Sequence, residues 1–163
     1  MVEIFRLKVA LRGCMCEDFS ANYCTRALDI SGNASLEKLA EAILDSYDFA
    51  MDHAFGFYNN LNNHYESDEA YSLFADFEMD DPIDSKSVKK TRVSSVFEKD
   101  KTMMFLFDYG DDWIFHVRCL SVGSPEKGRK YPVIVESKGK APEQYPDYEE
   151  EGITKIMPKF VRW

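Results

Sequence analysis

The sequence predicts an α+β fold: a mixed, mostly antiparallel sheet with one main helix packed on one face. Three observations carry that prediction. Residues 3–12 alternate apolar and charged side chains with the period of a strand. Residues 36–47 repeat their apolar side chains with the period of a helix. Two apolar runs, Met103–Phe107 and Trp113–Val117, flank a charged corner and read as a hairpin.

The elements follow in order. Phe5, Leu7, Val9 and Leu11 face one side of the first strand; Arg6, Lys8 and Arg12 face the other. After a loop over Cys14 to Asn22, residues Tyr23 to Ile30 make the second strand. Ser35 is an N-cap residue, with Glu37 and Glu41 near the positive end of the helix. Leu36, Leu39, Ala40, Ile43, Leu44 and Tyr47 then form an apolar stripe to about Asp48. Ala54 to Tyr58 is a short aromatic strand, so the opening reads β-β-α-β, a roll or grasp-like half.

Asn59 to Asn63 is a turn. Residues 64–85 mix acids with Tyr65, Tyr71, Phe74 and Phe77 and lack periodicity. They predict a long excursion with a short helix or strand near Ala70 to Phe77. Val88 to Phe97 predicts a further short helix. The 102–122 hairpin extends the sheet. In its second strand Trp113, Phe115, Val117 and Cys119 share one face, and Ile114, His116, Arg118 and Leu120 the other. Tyr131 to Glu136 is a last strand, with Pro132 marking its start or a sheet edge. The tail, Ile153 to Trp163, has apolar anchors at Ile153, Ile156, Phe160 and Val161.

At 163 residues the chain reads as a single domain over 1–163. A chain of this size buries roughly 68–70% of its unfolded surface, enough for a core without staples. Aromatic residues are 14% of the chain, so that core is aromatic-rich. The formal net charge is −9 and unevenly spread. Residues 37–85 hold 13 acids and one base, Lys38, and residues 86–101 reverse the sign. An acidic chain with one short basic run argues against nucleic acid as the partner, because phosphate contacts dominate that affinity. The acidic middle suits a basic partner or cations, and solubility is the simpler and favoured reading. The N-terminus has no apolar signal segment, and no stretch is long enough to span a membrane, so the expected location is cytoplasmic. Cys14, Cys16, Cys24 and Cys119 read as reduced thiols; the Cys14–Cys16 pair with Cys24 is weak as a soft-metal site.

The corner Phe107-Asp108-Tyr109-Gly110-Asp111-Asp112-Trp113 concentrates the candidate chemistry. Gly110, between two aspartates, is where a tight turn would take positive φ. Asp108, Asp111 and Asp112, with His116 and with Asp52 and His53, are the candidate binding residues. Carboxylates hold hard cations, and a neighbouring histidine serves as a base. The simpler reading gives the aspartates to the turn itself, capping its backbone, and makes Gly110 and Trp113 architecture. His53 follows an acidic helix end and reads first as a structural histidine; His64, in an asparagine-rich turn, reads as exposed. There is no Gly-rich phosphate loop, nucleophile elbow or HExxH, so the sequence calls for no cofactor and no metal.

This hairpin, with the opening strand Phe5–Gly13, the helix 35–48, the segment Asp52–Phe57 and the later Pro142-Glu143, resembles the plasmid pRiA4b ORF-3-like family. The resemblance covers most of residues 3–145 and implies a mobile-element setting without implying a chemistry. It also implies ligands that this chain lacks. In that pattern a histidine is common where Phe55 and Phe115 stand, and a cysteine pair where Lys140 and Tyr145 stand. Two histidines and two cysteines suit a tetrahedral zinc. The implied history is a metal site lost here, with phenylalanine filling it as core. His53 and His116 are displaced by two positions and by one, and a one-residue shift turns a strand side chain to the other face.

Two function classes follow. The first is a non-catalytic interaction or binding module of mobile-element-associated type, with an unidentified protein as partner. The alternative is a metal-dependent hydrolase acting on phosphate esters or nucleic acid through the Asp108/Asp111/Asp112 hairpin tip.

Overall fold

A computed structural model describes residues 2–14, 17–18, 23–77 and 79–146. The expected tail anchors, Cys16 and most of the Cys14–Asn22 loop lie outside the described residues. Among the described residues nine strands form one sheet: β1 (Ile4–Cys14), β2 (Glu17–Asp18), β3 (Thr25–Ser31), β4 (Phe55–Tyr58), β5 (Ala70–Ser72), β6 (Lys86–Ser87), β7 (Thr102–Phe107), β8 (Trp113–Gly123) and β9 (Val133–Lys138). Their order is β6-β5-β4-β7-β8-β1-β3-β9, with β2 paired to β1. Every pairing is antiparallel except β5 with β6. The sheet is therefore mixed and mostly antiparallel.

Helix α1 (Leu36–Ser46) covers one face. The Ser35 hydroxyl accepts from the Lys38 amide at 3.1 Å, the N-cap its sequence predicts. Its buried stripe meets Leu7, Val9, Leu11, Leu28 and Ile30 of β1 and β3 and the ring layer of β4, β7 and β8. Arg26 lies on this inner face and is buried. Its guanidinium donates to the Ser46 carbonyl at the helix C-terminus (2.8 Å) and sits 4.7 Å from the centre of the Tyr47 ring. A cation there complements the helix dipole.

The opening strands, the helix and the aromatic strand follow in the expected order, and the topology adds how they are joined. β4 does not pair with β1 or β3; the β7–β8 hairpin stands between. The reason lies in β8, whose 11 residues match the alternation of β1 and take its free edge from Ile4 to Gly13. The excursion after β4 also holds more than one short element. It contains a 3-10 turn at His64–Glu66, β5, a second 3-10 turn at Phe74–Asp76 and β6. The helix expected over 88–97 shrinks to α2 (Val93–Val96).

Part of the excursion packs on the sheet face opposite α1, while Tyr71 of β5 joins the α1-side core. On the opposite face Tyr58, Ala70, Ile83, Met104 and Leu106 form a second, smaller core, with Leu61, Tyr109 and Ile114 packed against it. The other half of that face, over β1 and β3, carries polar pairs such as Arg6 with Asp29 (2.8 Å). Both sheet ends are guarded. β6 is two residues long. β9 carries exposed Glu136 and Lys138, a register shift against β3, and Pro132 just before its start.

Candidate functional site

The hairpin corner straddles the end of the sheet, and its two sides differ. Phe107 and Trp113 form the last rung of the β7–β8 ladder and point to the α1 side. The loop Asp108–Asp112 closes over them, with the Asp112 amide donating to the Asp108 carbonyl at 2.6 Å. Gly110 does not take the positive φ expected of it. Asp108 (64°) and Asp112 (51°) do. Aspartate tolerates that region because its short carboxylate bonds locally. Asp108 Oδ1 accepts from the amides of Gly110 (3.0 Å) and Asp111 (3.1 Å). The cap foreseen for the turn is thus present and belongs to Asp108.

On the inner side the Asp108 amide donates to the Ala54 carbonyl at 2.9 Å, which brings the residues before β4 against the corner. His53 Nδ1 lies 2.7 Å from Asp52 Oδ1 and 3.6 Å from Asp108 Oδ2. The Tyr145 hydroxyl donates to Asp52 Oδ2 (2.8 Å) and lies 3.0 Å from His53 Nδ1. Gln144 holds this arrangement by bonding both the amide and the carbonyl of Ala50, at 2.7 and 3.1 Å. Burial alone would raise the Asp52 carboxyl, but the hydrogen bonds from Tyr145 and His53 outweigh it and hold it below its ordinary value. Burial, and then the charge of Asp108, push Asp112 up to about 6. Burial and the bond to Asp52 raise the Tyr145 hydroxyl.

Of the six candidates, Asp52, His53 and Asp108 therefore meet, Asp112 adjoins them electrostatically, and Asp111 is buried in the loop. His116 does not join them. It pairs across from Met104 on the opposite face, where burial and then Arg12 lower its pKa. Period-two alternation is the reason: Phe115 points inward, so His116 cannot. Among the described residues, no group of three or more His, Cys, Asp or Glu side chains is placed to hold a metal ion.

On the outer side stands Tyr109. Its hydroxyl meets that of Tyr58 at 2.6 Å. Gly56 makes room for both: a Cβ there would lie 2.7 Å from the Tyr58 oxygen and 2.8 Å from the Tyr109 oxygen. Burial raises both phenols, Tyr58 to about 12. His64 packs between Tyr58 and Tyr65, with ring centres at 5.0 and 4.1 Å, so it is half-buried and not exposed as its turn suggested. Burial lowers its pKa, partly opposed by Asp81. Phe74 lies 4.9 Å from Tyr109. These rings, with Asp80, Asp81, Pro82 and Ile83, enclose a cavity of about 200 Å³. Sequence reasoning missed this pocket. The available signal was Tyr58, an aromatic side chain on the outward-facing register of an otherwise inward aromatic strand.

A model of the plasmid pRiA4b ORF-3-like protein family matches residues 3–150. The chain belongs to that family. Among solved structures, a protein of unknown function from Methanosarcina mazei is similar, with a TM-score of 0.65 at 22% identity over 84% of this chain and 70% of that one. At that identity the likeness speaks for the fold alone. None of the curated proteins matches the chain.

The positions where family members were expected to carry ligands divide here. Phe55 and Phe115 are fully buried and joined through Phe105, with ring centres at 5.9 and 5.6 Å. They fill the ORF-3-like core as apolar packing. Tyr145 bonds Asp52 and His53, and Lys140 is exposed.

Proposed function

We propose that this ORF-3-like chain is a non-catalytic binding module, and that the pocket on the outer side of the hairpin receives a group presented by a partner. The observation that carries the reading is the division of labour at the corner. Asp108 is engaged with two turn amides and with the His53 cluster, whereas Tyr109 faces a ring-walled cavity. Enclosure by aromatic and apolar walls with a few polar groups is the common form of a binding site. The guarded sheet ends speak against binding by strand addition. A mobile-element setting remains what the family's name implies.

The hydrolase reading finds less support. It needs Asp108, Asp111 and Asp112 to converge with a histidine on an open, metal-accessible site. His53 does approach Asp108, but Asp108 and Asp111 are buried, His116 lies across the sheet, and among the described residues no group of three such side chains is placed to hold a metal.

Aromatic-region NMR separates the two. Small cationic, neutral and anionic head groups are titrated in turn, followed by magnesium and manganese. The binding reading predicts shifts at Tyr58, His64, Tyr65 and Tyr109 with at least one head group. Shifts confined to His53 and produced only by the metals would favour the hydrolase.

A further inference from the structure

We propose that the outer pocket recognises a methylated ammonium group, that of a modified lysine side chain on a basic polypeptide. The inference rests on the binding-module reading and adds the ligand's chemistry. Size comes first. A cavity of about 200 Å³ is below the roughly 300–1,000 Å³ of drug-sized sites. It suits the tip of one side chain.

Charge comes second. The walls are the rings of Tyr58, Tyr65, Phe74 and Tyr109, with Asp80 and Asp81 at the lining. Aromatic faces attract cations through their quadrupole, and quaternary ammonium recognition is the best-known use of such cages. The charge of Asp81 is felt by Tyr58, Tyr109 and His64. Burial lowers the His64 pKa, and among the described residues no lysine or arginine lines the pocket. The sequence over residues 59–85 contains eight acids and no lysine or arginine, and two of them, Asp80 and Asp81, line the pocket. That field favours a basic polypeptide and disfavours zwitterions and anions.

Hydrogen bonding decides between a plain and a methylated ammonium. An unmodified lysine brings three N–H donors that each need an acceptor when dehydrated. The Asp81 carboxylate already accepts from Ser72 (3.1 Å), Ser85 (2.5 Å) and the Ile83 amide (3.0 Å). The Tyr58 and Tyr109 hydroxyls hold each other, and Asp80, the other lining carboxylate, is exposed and stays in contact with water. A trimethylated head keeps its charge and needs no acceptor.

The test is calorimetric titration of the whole chain with Nα-acetyl-trimethyllysine amide, its neutral isostere with carbon in place of the quaternary nitrogen, unmodified lysine amide, and choline. The same trimethyllysine is then placed in peptides flanked by arginine or by glutamate. The expected result is saturable binding of the trimethyllysine amide, at least about tenfold weaker for the isostere and weaker for unmodified lysine. The arginine-flanked peptide should bind tightest. Tyr65→Ala removes an exposed wall (62% exposed) without disturbing the core, and should weaken binding about fivefold or more. Equal affinity for the isostere or for unmodified lysine overturns the inference while leaving a binding pocket. Choline binding tighter than the arginine-flanked peptide overturns the polypeptide source. If no trimethylammonium compound binds and the neutral or anionic head groups do, the inference falls alone; if no head group of any charge binds, the binding-module reading falls with it.

Discussion

The inner and outer sides of the hairpin corner are built from adjacent residues and have opposite characters. Inside, charge is dense and engaged: Asp108 caps its own loop, Asp52 is bonded by His53 and Tyr145, and Gln144 clamps the neighbouring backbone. Outside, rings make most of the wall, with Asp80 and Asp81 at the lining, and the space between them is open. The difference teaches that a run of carboxylates in a sequence can be the least available part of a site. In this chain the residue of the motif best placed to meet a ligand is its tyrosine.

The largest effect should come from the inner wall. Trp113 is 4% exposed, and its ring meets Phe49 at 4.7 Å. Trp113→Ala is expected to cost roughly 3–5 kcal/mol in denaturant unfolding. Its indole N–H meets no acceptor among the described residues. Trp113→Phe should therefore cost less than about 2 kcal/mol, because it also deletes that donor. An unchanged melting temperature for Trp113→Ala would break the architectural half of the comparison. Next comes Asp108→Ala, which leaves two loop amides without their acceptor and puts alanine at positive φ. A loss of about 2–4 kcal/mol is expected, with Asp108→Asn milder because it keeps an acceptor oxygen.

Gly56→Ala probes the outer side. Its methyl would push apart the two tyrosine hydroxyls, at a cost of about 1–3 kcal/mol, and trimethyllysine amide binding should be lost. Retained binding would show that the Tyr58–Tyr109 pair does not shape the pocket. Asp112→Asn should act in the stabilising direction. A carboxyl raised from 3.8 to about 6 opposes folding when charged. The cost is absent below its unfolded value and fully present above about pH 6. Removing the charge should thus stabilise the fold near neutral pH by about 1 kcal/mol, discounted for its half-exposed position. The gain should vanish below pH 3.8. Asparagine also tolerates the positive φ.

Much of the frame was legible because strong periodicity wrote it. The alternation of β1, the α1 stripe behind Ser35 and the two faces of β8 all follow from residue spacing. The corner's chemistry was misjudged in one respect. Sequence could place a turn at Gly110 but could not assign φ, and aspartate competes with glycine for left-handed positions when its carboxylate has local amides to bond. The pocket left one local sign in the sequence, Tyr58 on the outward register of β4. Tyr58, His64, Phe74 and Tyr109 share no local pattern. They converge because β4 pairs with β7 and because the excursion folds back over that pair, a long-range event that a window of neighbours does not record. His116, by contrast, is kept from His53 by the alternation of β8, a local pattern.

The most direct test of the two-sided account is to measure stability and trimethyllysine amide affinity for Asp112→Asn and Tyr65→Ala side by side. The account predicts a crossing: Asp112→Asn becomes more stable at pH 7 and binds as the unaltered chain does, while Tyr65→Ala keeps its stability within about 0.5 kcal/mol and binds weakly. Loss of binding in Asp112→Asn with Tyr65→Ala unaffected would contradict it, and would return the site to the carboxylates.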